Sequence, residues 1–176
     1  MTGLRHHLAL ALLIALPSAI PAQQTADTLT LRLQLKHGVG ATALAISPDS
    51  KVIATASYLL VDSTGRVTTQ LRPSNRVVGE AKLWNAQTGA LVRTLTIEND
   101  KIASLAFSPD GNLLAAGGGN VSLPHRAIRI TVWDLRSGAV NRTLDAYDED
   151  VANVSFLGDS DGLVAIGYTR APNQKS

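Results

Sequence analysis

The chain has 176 residues, 16 Lys and Arg against 14 Asp and Glu, a formal net charge of +2, and no cysteine. That near balance excludes the concentrated basic face of a nucleic-acid footprint. The missing thiol excludes cysteine catalysis, thiolate metal sites, covalent haem attachment and a cysteine-linked lipid anchor, so stability has to come from packing.

At the N-terminus Arg5, His6 and His7 precede an apolar run from Leu8 to Leu16, after which Pro17, Ser18 and Pro21 lead to Ala22. This is the layout of a secretory signal peptide over residues 1–22, with cleavage expected after Ala22. The run of nine apolar residues is too short for a hydrocarbon core, which needs about 20 helical residues. The mature chain is therefore expected to be exported, to the periplasm or the extracellular space, with no membrane span. It is long enough for one medium domain.

Leu29 to Leu35 alternates like a strand that has no repeat of its own. Beyond it the chain repeats. KLWNAQTGALVRTL at Lys82 to Leu95 matches TVWDLRSGAVNRTL at Thr131 to Leu144, with an offset of 49 residues at both ends. A second element precedes each copy: LAISPDS ends at Ser50, LAFSPDG ends at Gly111, and a looser VSFLGDSDG ends at Gly162. Asp49, Asp110 and Asp159 each stand three residues after an apolar anchor, and the interval from Trp84 to Phe107 equals that from Trp133 to Phe156, 23 residues.

Within the second unit, strand-like segments run from Ile102 to Phe107, Leu113 to Gly117, Ala127 to Trp133 and Ala139 to Leu144, separated by turn residues. Proline presets φ in the SPDG turn, aspartate bonds its own backbone, and glycine takes conformations closed to other residues. Four short antiparallel strands per repeat are the content of a propeller blade. The predicted fold class is all-β, a partial β-propeller: an open arc of about three four-stranded antiparallel blades with the last one incomplete. Its repeats fall at about 36–96, 97–145 and 146–170 within a segment 23–170, followed by a polar tail, 171–176.

The ordered set of SPDG, a small-residue strand, a Trp-Asp or Trp-Asn pair, a turn ending in glycine and an RTL strand resembles the WD-repeat β-propeller family over nearly all of the mature chain. The family's glycine-histidine pair is replaced by Ile97-Glu98 and by Ala146-Tyr147, and only His37 stands at the histidine position. The resemblance implies that His37, Ser57 and Trp84 occupy three places in the family's structural hydrogen-bond network, as packing support and not catalysis. Trp133, Asp134, Asp49 and Asp110 are read as structural in the same way. The resemblance also implies that the strand at Leu29 to Leu35 would close a ring by joining a last blade. A chain that stops inside its third repeat is expected to be a fragment of a longer protein, or to complete its ring by self-association.

Two insertions interrupt the repeats, Tyr58 to Gly79 and Gly118 to Arg126. By the same resemblance they emerge on one face together with the connections Glu98 to Lys101 and Tyr147 to Asp150. Tyr58, Arg66, Arg72, Arg76, His125, Arg126, Tyr147 and Asp148 are the candidate binding residues, since loops on a rigid scaffold carry function and arginine and aromatic side chains anchor interfaces. The plainer reading of each is a solvated loop residue. Asp148, Glu149 and Asp150 lack the alternating ligands of a calcium loop. The GGGN run at Gly117 to Asn120 is followed by no lysine and helix, and His125 has no metal-ligand spacing, so no metal or cofactor is expected. Asn120, Asn141 and Asn153 open Asn-x-Ser/Thr sequons, of which the last two fall in predicted strands.

No serine elbow, HExxH helix or placeable carboxylate pair is present. The expected function is an exported, non-catalytic scaffold for a protein or peptide partner, without nucleic acid. The alternative is an accessory propeller of a larger secreted enzyme, a hydrolase or redox protein with its catalytic part elsewhere.

Overall fold

Turn chemistry sets the strand ends. In a computed structural model, residues 33–35, 37, 40–70, 72, 74–98, 100–119, 129–145, 150–158 and 160–168 are described. They contain strands and turns and no helix. Serine and aspartate close the first hairpin of the first two repeats. Ser47 Oγ donates to Asp49 at 2.7 Å and accepts from the Val52 N–H at 2.9 Å. Ser108 does the same with Asp110 at 2.5 Å and Leu113 at 2.9 Å. In the third repeat Leu157 takes the serine position, and its N–H donates to the Gly162 carbonyl at 2.8 Å. The residue that re-enters the strand is left-handed each time, with φ 59° at Ser50, 74° at Gly111 and 64° at Ser160.

These turns divide the chain into three antiparallel sheets. The first orders β1 (Ala43–Ile46), β2 (Val52–Val61), β4 (Arg76–Asn85) and β5 (Leu91–Glu98), with β3 (Val67–Thr68) added to the far end of β2. The second orders β6 (Lys101–Phe107), β7 (Leu113–Gly119), β8 (Arg129–Asp134) and β9 (Val140–Asp145). The third pairs β10 (Asp150–Phe156) with β11 (Leu163–Tyr168). The Trp-Asn and Trp-Asp pairs close the last hairpin of the first two sheets. Asn85 Oδ1 accepts the N–H groups of Gln87 and Thr88 at 2.9 Å, and Asp134 Oδ1 accepts that of Ser137 at 2.7 Å.

Period-2 alternation then decides which sheet each residue meets. In β7, Leu114 and Ala116 pack with Ala54, Ala81, Leu83 and Trp133 between the first and second sheets. Ala115 points the other way, into a second core with Ile130, Val132, Val151 and Val154. Trp133, Ile102 and Leu114 are among the largest fully buried side chains. Burial of an Ile or Leu is worth about 1.5–3 kcal/mol, so these rows hold the sheets face to face. Arg93 adds a polar tie across the same junction, its guanidinium donating to the Leu135 carbonyl at 3.1 Å. The described residues all fall in one compact unit, residues 32–176.

Two boundaries differ from the expectation. The first insertion does not loop out at Tyr58: β2 continues to Val61 and β4 begins at Arg76, paired in register throughout. Leu59, Leu60, Val61, Val77 and Val78 are strand formers, and the paired register extends the hairpin through them. The second insertion starts later than Gly118, because β7 runs to Gly119. Of the strand expected at Leu29 to Leu35, residues 33–35 are described and take no strand pairing. Residues 1–32 and 169–176 lie outside the described residues.

Candidate partner-binding surface

The end of β2, the start of β4, the end of β5, the start of β6 and the end of β7 lie at one end of the sheets, as their registers require. The tip between β2 and β4 is ordered by its own turn. Asp62 Oδ1 accepts the Thr64 hydroxyl at 2.6 Å and the N–H groups of Thr64 and Arg66 at 2.8 and 3.0 Å. Those donors, the Thr64 hydroxyl first, hold the Asp62 carboxyl below its ordinary range. Gly65, at φ 83°, completes the turn into β3.

This tip places three of the predicted arginines. Arg66 and Arg72 are exposed, and Arg72 donates to Gln70 Oε1 at 2.8 Å. Arg76 reaches across to Glu98 at 2.8 Å, a pair about half exposed on both sides and so worth at most about 1 kcal/mol. Asn75 fastens the return path through Nδ2 to the Gln70 carbonyl at 2.6 Å. Tyr58 pairs with Gly79 in register and is half-buried, below the tip. Gly79 is where the connection between the first two sheets passes, and a Cβ there would stand 2.7 Å from the Asp100 carbonyl. His125, Arg126, Tyr147 and Asp148 lie outside the described residues.

The Gly117 to Gly119 run is strand and not a phosphate loop. A Cβ at Gly117 would come within 2.7 Å of Val151 and Val154, and one at Gly118 would overlap the Lys101 carbonyl. Close approach of neighbouring backbone and side chains accounts for these glycines. Asn141 and Asn153 lie in β9 and β10. Among the described residues no group of three or more His, Cys, Asp or Glu could hold a metal, and no helix is long and apolar enough to cross a membrane.

The hydrogen-bond group on the outer face of the first sheet contains a member that the sequence reading did not name. Trp84 Nε1–H donates to Thr55 Oγ1 at 2.7 Å, and His37 Nε2 lies 2.5 Å from the same oxygen. Thr55 Oγ1 thus stands between the indole N–H, which it accepts, and the imidazole ring. Nδ1 faces Glu80 at 3.9 Å, beyond hydrogen-bond range, and Glu80 takes Lys82 at 3.0 Å. Ser57 is fully buried and its Oγ has no hydrogen-bond partner among the described residues. The hydroxyl that joins Trp84 to His37 is thus Thr55, not Ser57. Period 2 puts Thr55 and Ser57 on one face of β2, opposite Lys82 and Glu80, and so does not choose between them. Burial, with Lys82 second, lowers the His37 pKa, opposed by Glu80 and Thr55.

The four turn carboxylates behave alike. Asp49 and Asp110 are held low first by the hydroxyls of Ser47 and Ser108, Asp110 to about 2, and Asp134 is lowered first by the Ser137 N–H. They cap turns.

The family model described as "WD domain, G-beta repeat" matches residues 89–122. Among solved structures the chain is similar to the β-propeller domain of Cps50 (Swd1) from Myceliophteria thermophila, at 16% identity and a TM-score of 0.54. The match covers 77% of this chain and 35% of that one, so the chain spans about a third of its neighbour's length. Repeat and fold together define the class: a WD-repeat match over residues 89–122 in a chain folded as β-propeller blades, with two complete sheets and a third of two strands among the described residues. No curated protein matches it in sequence.

Proposed function

We propose that the chain is an exported, non-catalytic scaffold that holds a protein or peptide partner on the loop-bearing end of its blades. The observation that carries this reading is the β2–β4 hairpin. Its ten-residue strands lift Arg66 and Arg72 out as exposed side chains on a tip ordered by Asp62 and Asn75. A rigid platform with exposed arginines suits recognition, because little side-chain and loop freedom remains to be lost on binding. WD-repeat propellers are typically interaction scaffolds, which supports the same reading.

The test is a complex with a defined partner, recovered by cross-linking in the compartment to which the chain is exported. Replacing Arg72 and Arg76 together with Ala is expected to weaken that complex by about tenfold or more. Unchanged affinity would remove this hairpin from the binding surface.

A further inference from the structure

At the end of the sheets opposite the arginine hairpin, a groove of about 600 Å³ opens between the first and second sheets. Its size falls within the range of about 300–1,000 Å³ found for ligand pockets. Its apolar lining comes from both sheets, with Leu83 and Val92 from the first and Phe107 and Leu135 from the second. Val92 is 61% exposed although it lines the groove. The SPDS and SPDG turns bring Pro48, Asp49, Pro109 and Asp110 to the same groove, and among the described residues these two aspartates are the charged side chains in its lining.

We propose that this groove docks a peptide segment carrying arginine or lysine beside a large aliphatic or aromatic side chain. Charge complementarity selects that occupant. Both carboxylates are exposed and held in place by hydroxyl donors, Ser47 to Asp49 at 2.7 Å and Ser108 to Asp110 at 2.5 Å. The two prolines have no N–H with which to receive an anion. Lys51 stands 3.4 Å from Asp49, but its side chain is 80% exposed, and so loose a surface pair yields to an incoming cation. Arg93, beside the groove, directs its guanidinium at the Leu135 carbonyl. The apolar lining takes the neighbouring aliphatic or aromatic side chain. This surface goes beyond the scaffold reading above and does not depend on the arginine hairpin.

The probe is a glycine-flanked arginine-leucine-arginine peptide with blocked ends, titrated into the chain by calorimetry, with amide shifts followed by NMR. Binding is expected, with shifts at Asp110, Gly111 and Leu135 and none along residues 62–76. Exchanging its arginines for glutamates, or its leucine for glycine, is expected to abolish it. Asp49→Asn with Asp110→Asn is expected to weaken binding about tenfold, two surface charge pairs at up to about 1 kcal/mol each. Arg72→Ala is expected to leave it unchanged. If the double variant does not fold, salt decides on the natural chain: binding should weaken steeply between low and 1 M salt. No binding to the natural chain, equal binding of the acidic peptide, salt-insensitive binding, or shifts confined to residues 62–76 would each overturn the proposal.

Discussion

Thr55 is the residue on which the outer face of the first sheet turns, since one hydroxyl serves both the Trp84 N–H and the His37 ring. Thr55→Val keeps the shape and leaves both groups unpaired, so chemical unfolding should show a loss of about 1–3 kcal/mol. Ser57→Ala removes a buried hydroxyl with no partner among the described residues and should cost less than about 1 kcal/mol or stabilise. Equal losses would return the role to Ser57. Acid should act on the same group. His37 is 3% exposed and its pKa is lowered by burial, so below the unfolded value of 6.5 the unfolded chain binds a proton that the folded chain resists. Stability is then full above that value and falls as pH drops through it towards the folded pKa. Urea midpoints at pH 7.5 and 5.5 should separate in the natural chain and draw together in His37→Gln. Trp84 and His37 were legible from the repeat, whereas the choice between two hydroxyls two residues apart depended on how His37 lies across β2.

At the scale of the element, the hairpin turns were the most legible feature, because Ser-Pro-Asp and Trp-Asp-x-x-x-Gly act within a few residues of themselves. Gly138 shows how such a turn also serves its neighbour. It holds φ at 77°, and a Cβ there would strike the Arg93 guanidinium that bonds Leu135. Gly138→Ala should therefore combine left-handed strain of about 1–2 kcal/mol with the loss of that bond. In a double-mutant cycle with Arg93→Ala the two losses should be less than additive, and strict additivity would mean that the turn and the arginine are independent. Strand ends at Val61, Arg76 and Gly119 were less legible. An insertion read from repeat spacing looks like loop, yet its apolar residues continued the paired register, while the strand at Gly117 and Gly118 is crowded by Val151 and Val154 of the third sheet and by the backbone of β6.

The sheets of residues 33–168 present outer faces that carry apolar side chains. Leu44 and Ile46 are 63% and 57% exposed on the first sheet, and Ile166 is 63% exposed on the third. Surfaces of this kind are satisfied by association. Light scattering on the chain secreted by an export-competent host should give a mass of at least two copies, and a polypeptide beginning after Ala22. Val164→Lys with Ile166→Lys should lower that mass, whereas a monomer in both cases would refute self-association. The sequence by itself determined the repeat, the blade as its unit, and the turns that bound each strand, because period-2 alternation and side-chain-to-backbone bonds act over a few residues. Only the tertiary structure decided which hydroxyl meets His37, that the first insertion is a strand-built hairpin, and that a groove with an acidic edge forms between two blades. Each of these depends on segments distant in the chain being brought together: His37 across β2, β2 against β4, and the first sheet against the second.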